Sequence, residues 1–360
     1  MKIFVIVDTL NQSEVNEYLL EEVLFLRTQD IDVRFITLGK EDPNNTLYSE
    51  NRFTKESFMT VPYRHWWNIQ DWKNFKLFMV NEQPNLVITC GNKADFFGRL
   101  VAWETKVSKI FVFAHDVFEI AQRKKHFYDG FLSRITDRYI VCSDEAKNKL
   151  LSNGIPNNKI TLLYDGIVFQ KYGQPISTKI RQQVGLLPDD FAFICATSLT
   201  PESGVDVLLR AFARVVGGKL IIFGDGPERK SLGALSIRLE LSERVIFLST
   251  FDDIPGLLSS SNAMICPSKK GEFSPSIIHG LLSGLPVIAT DSPEVRELVK
   301  DNENGIIVRR QDSENLAEAI NHVMFDRSLY ETLKGNTKNN LAKFSLSSHA
   351  AKLLSLAQKK

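Results

Sequence analysis

The stretch SPSIIHGLL, residues 274–282, combines residue types that could bind a phosphate group. Small polar residues come first, and the apolar residues that follow predict a helix that begins near Pro275 or Ser276. The free backbone N–H groups and the positive dipole end of such a helix attract phosphate and diphosphate groups. A helix that is merely capped by Ser274 or Ser276 fits the same residues. Both interpretations remain open on the residues alone.

Two further positions follow apolar stretches that read as strands. His115, in FVFAHD, is a residue type that binds ligands and moves protons near neutral pH, and Asp116 could orient it. The turn FGDGPE, residues 223–228, places Gly224 and Gly226 around an aspartate. Tight turns need such residues whatever their function, and a histidine after a strand often has a purely structural role. A structural role is therefore the alternative for both sites.

The elements that must position these residues alternate between short apolar strands and longer helical stretches. Strands are predicted at KIFVIV, VRFITL, NLVITC, KIFVFA, RYIVC and KITLLY in the first half, and at FAFICAT, KLIIFG, RVIFLS, AMICPS, PVIAT and GIIV in the second. Helices are predicted over residues 14–28, near 72–81 and over 204–216. This alternation indicates parallel strands joined by crossover helices. We predict an α/β fold with two Rossmann-like domains that face each other across a cleft.

A polar, Pro- and Gly-punctuated stretch over residues 171–190 interrupts the alternation and marks the domain junction. We predict an N-terminal domain over residues 1–172 and a C-terminal domain over 173–340. A helical segment over 341–360 is expected to pack back toward the N-terminal domain. Because ligands of open α/β sheets bind at the carboxyl ends of the strands, a nucleotide-linked substrate between the domains is the first expectation.

The composition argues against several classes of function. Lys and Arg total 44 and Asp and Glu total 43, so a nucleic-acid partner held by a general basic field is not expected. The four cysteines form no CxxC pair and suit buried strand thiols in a reducing compartment. The N-terminus predicts a first strand and not a signal peptide. No stretch approaches the ~18 apolar residues of a membrane span. A cytoplasmic protein is the expectation.

Residues 62–79 mix tryptophans with Lys73 and Lys76 at helical spacing. Aromatic and basic residues on one helix could touch a membrane interface that carries a lipid-linked acceptor. The alternative is a core-packing helix with a solvated polar face. The first interpretation predicts peripheral attachment to the inner face of the membrane.

The second half of the chain resembles the GT-B glycosyltransferases of the large retaining family 4. The resemblance rests on SGVDVLLRAFARV, LIIFGDGPER, RVIFLSTFDDIPGLLSSSNAMICPS and GLLSGLPVIATDSPEVRELVKDNENGIIV, which occur in the order and spacing of the family. In the first half, SEVNEYLLEEVLFLRTQDIDVRFITL, GNKADFFGRLVAW, FVFAHD and LLSNGIPNNKITLLYDGIVFQKYG are similar, more faintly, to the acceptor domain. The resemblance extends over most of the chain.

The resemblance implies transfer of a sugar from a nucleotide sugar to a glycan or lipid-linked acceptor. It further implies retention of configuration, no metal ion or other cofactor, a hexosyltransferase type of reaction and a place in polysaccharide biosynthesis. His115 matches the histidine that contacts the donor sugar in the family. The positions implied in donor binding are Ser198, Ser203, Gly224, Gly226, Glu228, Ile254, Ser274, Ser276, Ile277 and Ile278.

The chain departs from the family pattern at the donor site. Ser198 and Ser203 replace an Arg and a Lys that grip the donor diphosphate, and Gly271 and His279 stand where the family has two glutamates. Losing one preorganised electrostatic contact typically costs ~3–4 kcal/mol of transition-state stabilisation. Activity therefore requires compensation. The candidates for catalytic and compensating roles are His115, Glu272 and His279, together with a basic residue from the facing domain.

Three hypotheses follow from this pattern. The first is an active retaining glycosyltransferase with an atypical donor site, which stabilises an oxocarbenium-like transition state. The second is a pseudo-glycosyltransferase that serves as a partner subunit or glycan-binding module. The third is another two-domain Rossmann enzyme, such as an epimerase. The first is favoured because GDGPER, the Pro-Val strand and His115 are retained.

Overall fold

A computed structural model describes residues 1–9, 14–39, 58–63, 68–114, 129–269 and 275–358. The chain forms two compact units. Unit 1 consists of Met1–Ile167 together with Lys343–Lys360, and unit 2 consists of Val168–Ala342. The chain therefore leaves unit 1, builds the whole of unit 2 and then returns.

Unit 1 is built on a parallel sheet, which has seven strands within the described residues. They are β1 (Lys2–Val7), β2 (Asp32–Leu38), β3 (Phe58–Val61), β4 (Leu86–Cys90), β5 (Lys109–Phe113), β6 (Arg138–Val141) and β7 (Ile160–Leu162). Their order in the sheet is β3-β2-β1-β4-β5-β6-β7. Its described helices are α1 (Glu14–Thr28), α2 (Ile69–Glu82), α3 (Arg99–Glu104), α4 (Asp129–Ile135), α5 (Asp144–Ser152) and the C-terminal α14 (Leu346–Gln358), and a π-helical turn (Ala94–Gly98) leads into α3.

The near-continuous apolar letters of β1 reflect burial on both faces of the sheet. Successive side chains of a strand point to opposite faces. Ile3 and Val5 accordingly lie in a core with α1 and α14, whereas Phe4 and Ile6 lie in a second core with α2 and α3. The helix predicted over residues 14–28 and the one predicted near 72–81 are both confirmed.

Unit 2 repeats this plan, with six parallel strands among its described residues. They are β8 (Ala192–Ala196), β9 (Lys219–Phe223), β10 (Val245–Leu248), β11 (Ala263–Cys266), β12 (Val287–Thr290) and β13 (Gly305–Val308). Their order is β10-β9-β8-β11-β12-β13. The described helices are α6 (Thr178–Gln183), α7 (Val205–Phe212), α8 (Arg229–Arg238), α9 (Ile254–Ser259), α10 (Pro275–Leu282), α11 (Pro293–Leu298), α12 (Ser313–Phe325) and α13 (Arg327–Gly335). The α/β class with two Rossmann-like units is thereby confirmed.

The segment 171–190, which the sequence marked as polar, is built into unit 2. It contains α6, and the buried guanidinium of Arg181 donates hydrogen bonds to the carbonyls of Leu187 and Ser260 at 2.9 Å each. Helix α7 ends at Phe212, earlier than the stretch over 204–216 predicts.

The strand order reverses once in each sheet, between β1 and β4 in unit 1 and between β8 and β11 in unit 2. At such a switch point the two connections leave toward opposite sides, and a crevice opens at the carboxyl edge of the sheet. In unit 2 the connections concerned lead from β8 into α7 and from β11 toward α10. None of the described helices has the length and apolar character needed to cross a membrane.

Candidate functional site

Three segments follow the carboxyl ends of β8, β9 and β11 in unit 2, and we call them the switch-point loops. They comprise residues 197–204, 224–228 and 267–269. Backbone hydrogen bonds extend the β8–β9 ladder into the first two, with the Thr197 N–H donating to the Phe223 carbonyl at 3.0 Å and the Leu199 N–H to the Asp225 carbonyl at 2.9 Å. These loops are therefore held by main-chain bonds and not only by side chains.

Glycines let these loops pack backbone against backbone. Gly204 has φ +75°, and a Cβ there would lie 1.9 Å from the Pro267 carbonyl oxygen. A Cβ on Gly224 would lie 2.0 Å from the Thr197 carbonyl oxygen, and one on Gly226 would lie 2.5 Å from that of Leu199. Side chains are excluded at all three positions. Gly224 and Gly226 thus allow the loops to pack closely, and their role in donor binding stays a prediction.

The two serines that are predicted to replace an Arg and a Lys of the family are uncharged. Ser198 is exposed. Ser203 is buried, and its hydroxyl donates to the Thr200 carbonyl at 2.7 Å, which closes the loop just before α7. Ser203 therefore has a structural partner within its own loop.

Glu228 and Ile254 lie at the same edge of the sheet, after β9 and β10. The Glu228 carboxylate accepts a hydrogen bond from the Ser231 hydroxyl at 2.8 Å in the first turn of α8. Ile254 begins α9 and is exposed, and the Asp253 side chain caps that helix by accepting from the Gly256 N–H at 2.8 Å. Glu228 contributes negative charge, and Ile254 presents an apolar surface.

Helix α10 begins at Pro275, beyond the end of β11. The side chains of Ile277 and Ile278 are buried, so only their backbone is left to meet a ligand. A hydrogen bond joins Ser276 to the thiol of Cys266 at the end of β11, and burial raises the pKa of that thiol to about 12. The start of α10 is therefore anchored to the strand on which the switch point lies, beside a thiol that stays protonated.

His279 lies one turn further along α10. Its ring stacks on Tyr172 with 5.1 Å between the centroids and 14° between the planes. Burial lowers the pKa of the imidazole to about 4, so His279 is neutral near pH 7. It can exchange hydrogen bonds there, but it cannot offset the charge of a diphosphate.

Five residues singled out from the sequence for this site lie outside the described residues: His115, Asp116, Gly271, Glu272 and Ser274. Their roles stay predictions. Within the described part of the chain, no three His, Cys, Asp or Glu side chains form a group that could hold a metal ion.

Sequence reasoning missed Lys269 and Asp8. Lys269 ends the third switch-point loop, and the basic pair directly after the predicted strand AMICPS was the available signal. Asp8 follows β1 at the switch point of unit 1 and accepts hydrogen bonds from the N–H groups of Lys93 at 3.1 Å and Ala94 at 2.6 Å. Burial raises the pKa of the Asp8 carboxyl, although these two bonds oppose the shift. Asp8 therefore caps the π-helical turn that precedes α3.

Each of the two units matches a known glycosyltransferase family. Residues 176–340 match Glycosyl transferases group 1, and residues 15–171 match Glycosyltransferase Family 4. These matches and the two Rossmann-like units show that the chain belongs to the GT-B group 1 glycosyltransferases.

Individual relatives are distant. The chain is 25% identical over 223 residues to N-acetyl-alpha-D-glucosaminyl L-malate synthase of Bacillus anthracis. The aligned region covers 55% of this chain and 58% of that protein. The chain thus spans little more than half the length of that relative. It is 24% identical over 349 residues to the Escherichia coli UDP-Gal:alpha-D-GlcNAc-diphosphoundecaprenol alpha-1,3-galactosyltransferase, covering 91% of this chain and 89% of that one.

Among solved structures, Anabaena HepE (Alr3699) in complex with UDP and glucose has a TM-score of 0.77 at 19% identity, with 99% of each chain covered. At this identity the likeness shows the fold.

Proposed function

We propose that this glycosyltransferase moves a sugar from a nucleotide sugar to a glycan or lipid-linked acceptor, with retention of configuration and without a metal ion. The observation that carries the proposal is the start of α10 beyond β11 at the switch point of unit 2, next to loops that exclude side chains at Gly204 and Gly224. The first N–H groups of a helix lack intrahelical partners and attract a diphosphate.

The relatives support the choice of substrates. The solved structure of HepE contains UDP and glucose, and the galactosyltransferase is named for a UDP sugar and a diphosphate-linked lipid acceptor. We extend this chemistry to the present chain as a nucleoside diphosphate sugar donor and an acceptor hydroxyl.

In the proposed reaction the bond between the anomeric carbon and the β-phosphate oxygen breaks, and the acceptor hydroxyl oxygen bonds to that carbon. The hydroxyl proton passes to the released nucleoside diphosphate. Positive charge develops on the sugar ring in an oxocarbenium-like transition state. The start of α10 is proposed to stabilise the leaving diphosphate, and His115 and Glu272 remain the proposed catalytic residues. His279, being neutral, orients the donor by hydrogen bonding and not by charge.

The first prediction concerns donor binding. We expect at least one of UDP, GDP, ADP and dTDP to raise the melting temperature, because a ligand that binds only the folded state at 100 times its Kd stabilises it by about 2.7 kcal/mol. Transfer or hydrolysis of the matching nucleotide sugar should follow and should survive EDTA. His115→Ala should abolish it with an unchanged circular dichroism spectrum. If none of the four diphosphates shifts the melting temperature, the enzymatic proposal fails.

A pseudo-glycosyltransferase is the second candidate function. It is favoured by one observation, namely that Ser198, Ser203 and His279 leave the donor edge without the family's charges. Such a protein should show neither stabilisation by nucleoside diphosphates nor turnover, and it should co-purify with a partner subunit or bind glycan.

We also propose a cytoplasmic location with peripheral membrane contact through α2, the described part of residues 62–79. Asp71, Phe75 and Met79 are buried, whereas the opposite face is open to solvent. On that face Ile69, Leu77 and Val80 are 69%, 62% and 48% exposed. Such a face, together with two nearby lysines, suits the boundary between lipid headgroups and acyl chains.

Trp72, the described tryptophan of residues 62–79, does not carry the membrane contact that the sequence suggested. Trp72 packs edge-on against Phe97, with 4.7 Å between the centroids, and so belongs to the core side of α2. Trp66 and Trp67 lie outside the described residues. Lys73 and Lys76 are exposed, and Lys76 forms a 3.0 Å ion pair with Glu104 on α3, beside the half-exposed Trp103. The proposed contact therefore rests on aliphatic and basic residues, with Trp103 as the neighbouring aromatic.

A further inference from the structure

A donor diphosphate brings negative charge to an edge that already carries Glu202, Asp225 and Glu228. Within the described switch-point loops and the first turns of α7, α8 and α10, only three cationic side chains are present: Arg229, Lys230 and Lys269. Among these described side chains, one of the three is the candidate to meet the charge of a donor together with the helix start.

Arg229 is partly engaged with β10, although its buried Nη1 has no hydrogen-bond partner among the described residues. Its guanidinium lies over the Phe247 ring, 4.8 Å from the centroid, and donates to the Phe247 carbonyl at 3.4 Å. Phe247 belongs to β10, and neighbouring strands lie ~4.8 Å apart, so β10 is about 10 Å from β8 across the sheet. Lys230 follows Arg229 on α8 and is exposed. Both cations therefore belong to the far side of the β9 turn.

Lys269, in contrast, is fixed at the switch point itself. Its backbone N–H donates to the Glu202 carbonyl at 2.9 Å, which places it beside the residue that precedes Ser203. The preceding Ser268 carbonyl accepts from the Thr290 hydroxyl at 2.6 Å. Lys269 thus starts from a backbone tied to both the β8 loop and β12, next to the position where the family has its lysine.

The ammonium of Lys269 forms an ion pair that a ligand can displace. Its Nζ lies 2.8 Å from the Asp206 carboxylate, and the two side chains are 27% and 37% exposed. Partly exposed ion pairs contribute little to stability. Asp206 also sits in the first turn of α7, where the helix dipole stabilises a carboxylate without help from a cation. A diphosphate, with more negative charge, can therefore compete for the ammonium.

We propose that Lys269 supplies the cationic contact to the donor diphosphate that Ser198 and Ser203 no longer provide, and that Asp206 holds the ammonium while no donor is bound. This inference rests on the proposed function. In this proposal, one lysine of the loop after β11 makes the diphosphate contact that the family makes with two cations of the loop after β8.

The test compares binding of UDP and UMP to the full chain by calorimetry, or of whichever diphosphate and monophosphate pair gave the largest melting shift. Lys269→Ala should weaken UDP binding about 10- to 100-fold, the usual effect of losing a hydrogen bond to a charged group. Because UMP lacks the second phosphate, its binding should change much less. Lys269→Arg should restore most of the affinity, and Asp206→Asn should tighten UDP binding. Lys230→Ala is the matched control and should bind UDP like the wild type.

The outcomes separate the two claims. A folded Lys269→Ala protein that keeps wild-type affinity for UDP overturns the role of Lys269 and leaves the proposed function standing. Equal losses for UDP and UMP also overturn it, since they indicate general distortion of the site. A wild-type protein that binds none of the nucleoside diphosphates overturns both claims.

Discussion

At the scale of single residues, the stack of His279 on Tyr172 bears on the charge of the proposed donor site. A glutamate at this position would add a negative charge, and a protonated histidine would add a positive one. Burial lowers the pKa of His279 to about 4, so at neutral pH it adds neither. In the proposed donor site, the predicted replacement of a glutamate by His279 therefore removes a carboxylate without adding a cation.

This lowered pKa predicts a specific acid sensitivity. The unfolded chain, with a histidine pKa near 6.5, binds the proton more readily than the folded one, so stability is complete above pH 6.5 and falls as the pH drops toward 4. We expect His279 to account for a loss of about 1 kcal/mol at pH 5.5. Urea denaturation of His279→Phe, which keeps the stacked ring but cannot titrate, should lack this component. Identical pH profiles for the two proteins would contradict the assignment.

The sequence predicted which loops and helix start could form a site, but it did not predict the hydrogen bonds and ion pairs that hold them. The GDGP turn, the serines at 198 and 203 and the start of α10 were all identified, because strand ends and small residues are readable from spacing. That the Ser203 hydroxyl is held by Thr200, and that Lys269 meets Asp206, depends on how loops from different strands approach each other. Such tertiary contacts leave no periodic signal.

At the scale of elements, α2 joins a core-packing face and an exposed face in one helix. The sequence offered a membrane-contacting helix and a core-packing helix with a solvated polar face as alternatives, and membrane contact stays a prediction. Trp72 could not be assigned from the sequence, since aromatic residues suit a membrane interface and a core equally well. Only the tertiary structure shows that Trp72 packs against Phe97.

The exposed face of α2 predicts vesicle binding. We expect the protein to float with vesicles that contain phosphatidylglycerol, and the double variant Leu77→Glu, Val80→Glu to bind at least about tenfold more weakly, because burying each apolar side chain contributes ~1.5–3 kcal/mol. Ile237→Glu is the control, since Ile237 on α8 of unit 2 is 68% exposed and outside the proposed face. Equal binding by all three proteins would disprove the contact through α2.

At the scale of the whole molecule, a buried ion pair connects α14 to the N-terminal part of unit 1. The imidazole Nε2 of His349 lies 3.0 Å from the Glu22 carboxylate of α1, and Nδ1 lies 2.7 Å from the Tyr164 carbonyl. Burial by itself lowers the pKa of His349, but Glu22, the Tyr164 carbonyl and Asp165 outweigh it and raise the pKa to about 9. The pair is therefore charged at neutral pH and fixes α14 against α1.

This raised pKa predicts alkaline sensitivity. The contribution of His349 to stability is complete below pH 6.5, its ordinary pKa, and is lost as the pH rises through about 9. Glu22→Gln leaves a buried imidazolium without its counter-charge and should cost about 3–5 kcal/mol in denaturant unfolding. The double variant Glu22→Gln, His349→Gln should be more stable than Glu22→Gln alone and should lack this alkaline component. An unchanged alkaline loss in the double variant would argue against the pair.

The pattern of apolar strands predicted two parallel sheets with crossover helices, and the described strands confirm that class. It could not supply the strand order, because each strand is equally apolar on both faces and carries no label for its neighbour. The switch points between β1 and β4 and between β8 and β11 therefore emerge only from the structure.

Because the segment Lys343–Lys360 follows unit 2 in the chain yet belongs to unit 1, the core of unit 1 cannot be completed until unit 2 has been synthesised. A ribosome must release all of Val168–Ala342 before α14 can emerge. Until then the nascent first unit leaves uncovered the apolar surface that Ala350 and Leu353 later fill. The second unit, by contrast, holds its complete core in one continuous stretch and can fold first. We therefore expect unit 2 to complete its core before unit 1, opposite to the usual order of folding from the N-terminus.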